Sequence, residues 1–396
     1  MNETSLKLRN TIETFIQTAQ FDALIETCKM ALGDARERGD KSTEVLSVIG
    51  LAQGHKYIGK FKEARVLVDG AVRFAAQIGD NDLQTMALSV RGSLYLMGFF
   101  QPYDAEHDWR QALDLAERHQ NPDLLADVLL GLAATYQQTN ENERSESYAR
   151  KAFNIARKAS NRHLMGVALA LIGAATMGNQ PEKAMQAYED ALAIAQQDNY
   201  RLLELTLTSN IGALLCREKR YAEEGQMMLE KAVALAKDFR SVPHEFTALY
   251  RLGRALEKQG ALERAAQYYG LMLERAQEWR VRSYEGVGFF NLGILAYHRA
   301  HHDDAIANLE QALMIARETK NPFQEAQIEQ TLAANYLVMD NFDDSLEHYK
   351  AARSLYDALD NRPSANRVAQ KILLVYIERL LDNVLRWLGL RQDEAN

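Results

Sequence analysis

Amide, basic and aromatic residues recur at a fixed spacing between positions 210 and 298. Asn210, Arg251 and Asn291 are separated by almost equal intervals, and a basic residue follows each of them seven positions later. Arginine guanidinium groups, which can donate two hydrogen bonds to one carboxylate, and side-chain amides in this arrangement could bind the carboxylates of a peptide. The alternative is a solvated surface, neutralised by Glu245 and Glu257. The candidate partner-binding residues are Asn210, Arg217, Tyr250, Arg251, Arg254, Lys258, Phe290, Asn291, Tyr297 and His298.

Residues for catalysis or metal binding are weaker candidates. His301, His302, Asp303 and Asp304 are adjacent, which suits a tetrahedral metal site poorly, so we interpret them as turn and helix-start residues. The sequence contains no phosphate-binding Gly-x-x-x-x-Gly-Lys loop, no dinucleotide-binding glycine fingerprint and no His-Glu-x-x-His motif. We therefore expect a protein that is not an enzyme and that uses no cofactor and no metal.

Charge and composition restrict the partners. The chain has 46 Lys and Arg against 54 Asp and Glu, a net charge of −8, whereas nucleic-acid or anionic-membrane binding needs a basic footprint. No uncharged apolar run reaches the ~20 residues of a membrane span. The charged N-terminus is unlike a signal peptide, and Cys28 and Cys216 are too few for a disulfide framework. These features predict a cytoplasmic protein that binds neither nucleic acid nor membranes.

The candidate residues are placed by an internal repeat whose period is roughly 40 residues. A small residue recurs eight times at this period and is followed, half a repeat later, by a pair of positions four apart that are mostly alanine. Positions i and i+4 share one face of a helix, and a flat alanine stripe lets a second helix approach closely. The small residues are Ala52, Gly92, Ala133, Gly173, Gly212, Gly253, Gly293 and Ala333; the first positions of the pairs are Ala31, Ala71, Ala112, Ala152, Ala191, Ala232, Met272, Ala312 and Ala352.

Helix-boundary signals separate the units. Gly39-Asp40 and Gly79-Asp80 combine a helix-ending glycine with a helix-starting aspartate. Asn121-Pro122 and Asn321-Pro322 place an N-cap before a proline at the first helical position. Each unit is therefore predicted to be two helices of ~17 residues, each about 25 Å long, with no β-sheet.

These residues resemble the tetratricopeptide repeat. Leu292-Gly293, Tyr297, Ala305 and Ala312 follow its pattern of Leu-Gly, aromatic and alanine positions, although its opening tryptophan and closing proline are absent. The usual unit is shorter, at about 34 residues. The longer unit of this chain is similar to that of Pins-type adaptors, kinesin light chains and the sensor domains of some bacterial regulators. The resemblance implies an all-α superhelix of about nine helix pairs with a C-terminal capping helix.

The resemblance also implies a function. In this family the first helix of each unit lines a concave groove, and related adaptors use groove Asn and Arg residues to hold acidic peptides. We predict a non-catalytic scaffold that binds a peptide segment of a partner protein. The alternative is a regulatory sensor that binds a small molecule or a signalling peptide inside the superhelix. An enzyme of the peptide-controlled phosphatase kind is the weakest possibility, because the repeat already begins by Ala31.

Residues 163–178 contain no Asp, Glu, Lys or Arg. A helix that is apolar all round is buried on all sides or contacts an apolar ligand. With Ala170, Ala174 and Met177 on the expected groove side, this helix predicts an apolar subsite for an anchor residue of the partner peptide. The alternative is a helix covered by the C-terminal segment of the chain.

The C-terminal segment has more apolar residues than one contact needs. After Pro363 the repeat stops, and a helix is predicted to about Leu388, ended by Gly389. Val368, Ile372, Val375 or Tyr376, and Ile377 are expected to cover the ninth repeat. Either this segment only caps the solenoid, or its remaining face, Leu381, Val384, Leu385, Trp387 and Leu388, forms a homodimer contact or binds a partner. The predicted organisation is an N-terminal capping repeat at 1–40, the solenoid at 41–360 and the C-terminal helix and tail at 361–396.

Overall fold

The structure is a computed structural model that describes residues 3–119 and 121–388. Within these ranges the chain forms nineteen α-helices and no β-strand, which confirms the all-α prediction. The helices are α1 (Glu3–Gln17), α2 (Phe21–Arg38), α3 (Lys41–Tyr57), α4 (Phe61–Ile78), α5 (Asn81–Leu94), α6 (Pro102–His119), α7 (Pro122–Gln138), α8 (Asn142–Lys158), α9 (Arg162–Thr176), α10 (Pro181–Gln197), α11 (Arg201–Leu215), α12 (Ala222–Asp238), α13 (Val242–Lys258), α14 (Leu262–Glu278), α15 (Arg282–His298), α16 (His302–Glu318), α17 (Pro322–Val338), α18 (Phe342–Ala358) and α19 (Arg362–Trp387).

The helices α1 to α18 follow one another as nine pairs, one pair for each predicted repeat, and α19 is the C-terminal helix. The odd-numbered helices are the first helices of the repeats and the even-numbered ones are the second. Gly389, the predicted end of α19, lies outside the described residues. The chain divides within α14 into two compact units, Met1–Tyr268 and Tyr269–Asn396, and the predicted boundaries at 40 and 360 remain predictions.

The alanine series lies at the helix crossings, as the repeat pattern predicts. Ala71, Ala112, Ala232, Ala312 and Ala352 are each at most 2% exposed. Ala31 of the first repeat is only half-buried. A side chain as short as a methyl group lets two helix backbones approach closely, so the stripe determines where helices cross.

The recurring small residue makes room for the second helix of the same repeat. A Cβ atom at Gly92 would lie 2.8 Å from the ring of Trp109, and one at Gly293 would lie 2.8 Å from Cγ of Leu309. Neither distance is possible for real atoms without a shift of the neighbour. This is the packing reason that offsets the helix-weakening effect of an interior glycine.

Turns between helices use one residue in the left-handed conformation. Gly39 and Gly79 have φ values of 68° and 69°, where glycine avoids the steric penalty of a Cβ atom. The predicted N-caps are also present: the side chains of Asp40, Asn121 and Asn321 accept hydrogen bonds from the backbone N–H groups three residues later.

The third repeat accommodates its extra residue in the turn between its helices. α5 continues into a π-helical segment, Tyr95–Phe99, and Phe100 then adopts the left-handed conformation with a φ of 54°. The backbone N–H of Gln101 donates to the carbonyl of Tyr95 at 3.0 Å. An inserted residue is thereby absorbed as a wider helical turn, and α6 begins at Pro102 in the repeat register.

Candidate functional site

In the first unit, the early repeats contact the sixth and seventh repeats. α1 packs against α11, and Phe21, Tyr57, Leu205 and Phe239 belong to one apolar cluster. The rings of Phe21 and Tyr57 stack with centroids 4.4 Å apart, and Tyr57 stacks on His244 of α13 at 6.0 Å. The superhelix of this unit therefore closes on itself.

The edges of this contact are more polar. Arg240 and Asp22 form an exposed ion pair at 2.8 Å, and such pairs contribute little stability. Next to them Val242 packs so closely that a Cβ atom at Gly59 would lie 2.9 Å from it. Apolar packing, rather than the ion pair, therefore holds the closed form together.

A cavity of about 340 Å³ lies on the inner side of the first unit. Its walls come from α1, α3, α5, α7 and α9, the first helices of five successive repeats, and from Trp109 of α6. Ile12, Met86 and Leu124 supply apolar surface. The cavity has the size of a small ligand, and polar side chains such as Gln53 and Ser93 alternate with the apolar ones along its walls.

Lys56 is the most deeply buried cationic group in the cavity wall. It is 5% exposed, and its ammonium donates to the hydroxyl of Ser93 at 2.9 Å. Burial lowers the pKa of Lys56 to about 8, although the carboxylate of Asp127 opposes this shift. The ammonium group therefore carries a charge at neutral pH that a bound anion would stabilise.

Asp127 and Trp109 complete the polar part of the cavity. Burial raises the pKa of Asp127, while the Ser89 hydroxyl and the charge of Lys56 oppose that rise. Trp109 is 4% exposed, and its indole N–H has no acceptor among the described residues. A buried N–H without an acceptor is costly, and this one lies beside Gly92, where an added Cβ atom would be 2.8 Å from the indole nitrogen.

Two other carboxylates in the wall have partners within the protein. Glu13 accepts from Arg9 at 2.8 Å, and Asp123 accepts from the side-chain amide of Asn161 at 3.0 Å. These two carboxylates are thus engaged by their neighbours. Lys56 and Asp127, in contrast, influence each other through their charges across the cavity.

Two histidines near the cavity are neutral. Burial lowers the pKa of His163 to about 4, and burial together with the charges of Lys56 and Arg251 lowers that of His244 to about 4. The hydroxyl of Ser241 lies 2.7 Å from Nδ1 of His244. The long-range effects on His244 show that Lys56 and Arg251 lie on the same inner side of the first unit.

Two of the candidate binding residues are buried in the first unit. Asn210 of α11 is 6% exposed. Arg251 of α13 is half-buried and donates to the hydroxyl of Ser209 at 2.9 Å. Desolvation lowers the pKa of Arg251, while Tyr188 and Tyr250 oppose the shift. Arg251 is thus a desolvated cation, held by neutral groups on the inner surface.

Arg217, Arg254 and Lys258 form a second group of cations, which we call the basic cluster. Partial burial, followed by repulsion from Arg254 and Arg217, lowers the pKa of Lys258, and Glu257 partly offsets this. Arg254 lies 3.4 Å from Glu257, a long ion pair. Lys258 therefore lies close enough to Arg254 and Arg217 for both charges to act on it, as in a site for an anion.

Tyr250 is half-buried in the first unit, and the remaining candidates lie in the second unit. Asn291 is 5% exposed, and its amide donates to the carbonyl of Val287 at 2.7 Å, so the helix already uses it. Tyr297 is half-buried and His298 is exposed, with ring centroids 5.8 Å apart. Phe290 borders a groove of about 740 Å³ between α15, α17 and α19. Arg367 and Lys371 lie on the opposite wall of this groove.

The apolar helix α9 is covered by its neighbours. It packs against α7, α8, α10 and α11, and Met177 at its end lies against the cluster around Tyr188. The cavity is bordered by the start of this helix, at His163 and Leu164. Neighbouring repeats thus account for its lack of charge, and a subsite at Ala170, Ala174 and Met177 remains a prediction.

The histidine group in the eighth repeat has a structural role. Nδ1 of His302 lies 2.8 Å from the amide oxygen of Asn335, and the amide nitrogen of Asn335 donates to the carbonyl of His302 at 3.1 Å. His301 lies 3.8 Å from Asp304. These contacts join α16 to α17, consistent with the interpretation as turn and helix-start residues.

The sequence analysis did not identify Lys56 and Asp127 as candidate site residues, although the repeat pattern contained a signal for both. In the repeat register Lys56 and Glu257 are the only charged residues at their position, and Asp127 is the only charged residue at its own. A charge at an otherwise uncharged inner position marks a departure from the repeat. The equivalents of Lys56 are Leu96, Gln137, Met177, Cys216, Glu257, Tyr297 and Leu337, and those of Asp127 are Leu46, Met86, Val167, Thr206, Thr247, Val287 and Gln327.

Family models match parts of the chain. The model for the tetratricopeptide repeat matches residues 125–163, and a model for anaphase-promoting complex subunit 5 matches residues 167–209 and 251–330. The repeats are of the tetratricopeptide type. The family resemblance predicted from the Leu-Gly, aromatic and alanine positions is thereby confirmed.

Individual proteins are similar to this chain at low identity. The 43 kDa receptor-associated protein of the synapse from Tetronarce californica is 21% identical over 280 residues, which is 70% of this chain and 66% of that protein. The crystal structure of NprR in complex with its cognate peptide NprX has a TM-score of 0.60 at 13% identity, covering 86% of this chain and 97% of that one. A signal transduction ATPase with a tetratricopeptide repeat sensor, from Pyrococcus horikoshii, has a TM-score of 0.52 at 14% identity.

The match to the ATPase covers 85% of this chain but only 54% of that protein. The chain thus spans about half of the ATPase and just under two-thirds of the synaptic protein. At these identities the solved structures establish the fold. Among the described residues, no helix is both long and apolar enough to cross a membrane.

Proposed function

We propose that this protein is a non-catalytic scaffold that binds an acidic peptide segment of a partner protein on the inner surface of its repeats. The observation that carries the proposal is the basic cluster, in which Arg254 and Arg217 lie close enough to Lys258 to repel its charge. Arg251, desolvated on the inner side of the same unit, supplies a further positive group. A carboxylate bound by this cluster would relieve the repulsion.

An apolar anchor of the peptide would add to this contact. Tyr250 is half-buried beside Arg251 in the first unit, and in the second unit Phe290 borders a groove that also has Arg367 and Lys371 in its wall. Aromatic rings next to cations suit a segment in which acidic and apolar residues alternate. The structural similarity to NprR in complex with its peptide NprX also supports a peptide as the ligand.

Selection from a displayed library of random peptides tests this function. The full chain should enrich peptides rich in Asp and Glu with at least one large apolar residue. A library selected against the Arg217→Ala/Arg254→Ala/Lys258→Ala variant should lose that acidic preference. Enrichment of basic or uncharged peptides by the full chain would contradict the proposal.

The cavity of the first unit supports a second candidate function, that of a sensor for a small molecule. Lys56 carries a positive charge in the cavity wall and donates to Ser93, whereas the carboxylate of Asp127 can accept hydrogen bonds. A ligand with a carboxylate and an adjacent ammonium group would pair with both. Free amino acids have this chemistry, and the cavity of about 340 Å³ is large enough for one.

Thermal unfolding in the presence of each of the twenty free amino acids tests the sensor function. A ligand should raise the melting temperature of the intact chain, whereas its N-acetyl form should have no effect because acetylation removes the positive charge that would pair with Asp127. Lys56→Met should abolish the shift. If no amino acid raises the melting temperature, the cavity does not bind this class of ligand.

We further propose that the protein acts in the cytoplasm as an adaptor and that its second partner is another copy of the same chain. Buried Cys28 and Cys216 support a reduced compartment, because burial raises the pKa of the Cys28 thiol to about 12 and that of Cys216 to about 11. Fractionation of cells that express the tagged chain tests the compartment. Recovery in a secreted or membrane fraction would contradict it.

A further inference from the structure

The C-terminal helix α19 has two apolar stripes on different sides. The first consists of Ala365, Val368, Ile372 and Val375, which pack against the ninth repeat. It ends where Arg379 forms an ion pair with Asp343, in the first turn of α18, at 2.9 Å. This part of the prediction is confirmed, and the capping contact is made by one face of the helix only.

The second stripe remains exposed. It consists of Leu373, Ile377, Leu380, Val384 and Trp387, whose exposed fractions are 61%, 47%, 64%, 43% and 83%. The expectation that Ile377 covers the ninth repeat is therefore wrong. At 3.6 residues per turn Ile377 lies roughly 180° from Val368, so it cannot share a contact with it.

The spacing of the second stripe is that of a helix–helix seam. Its residues follow one another at intervals of four, three, four and three, which is a heptad pattern. Ile377 and Val384 are β-branched and occupy one heptad position, while Leu373, Leu380 and Trp387 occupy the other. β-branched residues at heptad position a and leucine at position d favour a parallel coiled coil of two helices.

The exposed surface is also large enough for a stable contact. Leu374, Tyr376, Leu381, Leu385 and Leu388 flank the stripe, and each is between 38% and 56% exposed. Ten large apolar side chains on one helix exceed the few hundred Å² that soluble monomers usually leave exposed.

The stripe is complementary to itself. None of its five residues is charged, so two copies can meet without like-charge repulsion along the seam. The charged residues of the same segment, such as Lys371, Arg379 and Asp382, lie outside the stripe, and Asp382 is bound by Arg386 at 2.7 Å. A second copy of α19 carries the same uncharged heptad pattern and is therefore a matching partner for this face.

We propose that the protein forms a homodimer in which two α19 helices pack in parallel along Leu373, Ile377, Leu380, Val384 and Trp387. This deepens the self-association proposed above and is independent of peptide binding. The dimer places the two solenoids on opposite sides of the paired helices, because the first stripe of each helix remains against its own ninth repeat. Two peptide-binding surfaces would thereby be joined in one particle.

Light scattering of the intact chain and of Leu380→Glu/Val384→Glu tests the dimer. The intact chain should have twice the mass of one copy, and the double variant should have the mass of one. Both side chains are exposed in a single copy, so the variant should remain folded and keep its peptide affinity. Lys371→Glu, on the same helix but outside the stripe, should remain dimeric. A monomeric intact chain, or a dimeric double variant, would overturn the proposal.

Disulfide trapping tests the parallel arrangement. Val384→Cys should form a covalent dimer under mild oxidation, since equivalent positions face each other across the axis, whereas Lys371→Cys should not. The natural thiols of Cys28 and Cys216 are buried and do not interfere. Equal cross-linking of both variants would contradict the seam, and binding of a monomeric intact chain to lipid vesicles would assign the face to a membrane surface instead.

Discussion

The ring of Tyr57 in the second repeat stacks on the imidazole of His244 in the seventh, with 6.0 Å between centroids. Around this pair, apolar side chains of the early repeats meet those of the sixth and seventh repeats. The closure brings Lys56, Asp127 and Arg251 to the inner side of one unit.

Opening this contact should expand the first unit. Val242→Asp would place a carboxylate in an 8% exposed position beside Gly59, and a buried charge without a partner is strongly unfavourable. Small-angle X-ray scattering should record a larger radius of gyration. Arg240→Ala, which removes only the exposed pair with Asp22, should leave the radius unchanged. An unchanged radius for Val242→Asp would mean that closure does not depend on this contact.

Gly131 is expected to be irreplaceable, because a Cβ atom there would collide with the ring of Trp109. Gly131→Ala should lower the free energy of unfolding by ~1–3 kcal/mol through overpacking. The matched control is Gly33→Ala in α2, where an added Cβ meets nothing within 4 Å. That variant should gain up to ~1 kcal/mol from the helix preference of alanine. Urea unfolding measures both, and equal changes would contradict the packing described.

Ala312 tests the helix crossing in the second unit. It is 0% exposed on α16, so Ala312→Leu should lower the free energy of unfolding by ~1–3 kcal/mol. Ala307→Leu, at an exposed position of the same helix, should change it by no more than about 0.5 kcal/mol. A neutral Ala312→Leu would show that the alanine stripe is not at a crossing.

Lys56 should give the chain a distinct pH dependence. Its folded pKa of about 8 lies below the ordinary 10.5, so between these values the unfolded chain binds more protons and stability rises with pH. Below pH 8 the penalty is complete, and Lys56→Met should be more stable than the intact chain by roughly 3 kcal/mol. The advantage should vanish near pH 10.5. Lys62→Met, at an exposed position, should show no such trend, and a difference independent of pH would contradict the burial of a charged Lys56.

The repeat could be predicted because its signals are local. The alanine stripe, the glycines beside Trp109 and Leu309, and the caps at Asp40 and Asn121 each act within one pair of helices or between neighbours. Their spacing in the sequence is therefore sufficient to place all nine pairs.

The closure could not be predicted in the same way. The pitch of a superhelix is the sum of small rotations between repeats, and no spacing in the sequence states that sum. The positions of Phe21 and Phe239 in the sequence therefore did not predict that the two side chains would belong to one apolar cluster. The walls of the cavity around Lys56 and Asp127 come from five successive repeats, so its shape depends on the same superhelical pitch. The basic cluster, in contrast, combines i, i+4 positions of α13 with a turn position of the preceding repeat and was recognisable.

Salt-dependent binding of an acidic peptide tests the central claim most directly. Fluorescence anisotropy of a selected peptide should show that Arg217→Ala/Arg254→Ala/Lys258→Ala weakens binding about tenfold or more, or ~1.4 kcal/mol. The difference should shrink between about 0.15 M and 1 M salt, as the Debye length falls from about 8 Å to 3 Å. Lys62→Ala/Lys158→Ala/Lys231→Ala removes the same charge from exposed sites on second helices and should bind normally. Equal affinities for the two triple variants would contradict the account.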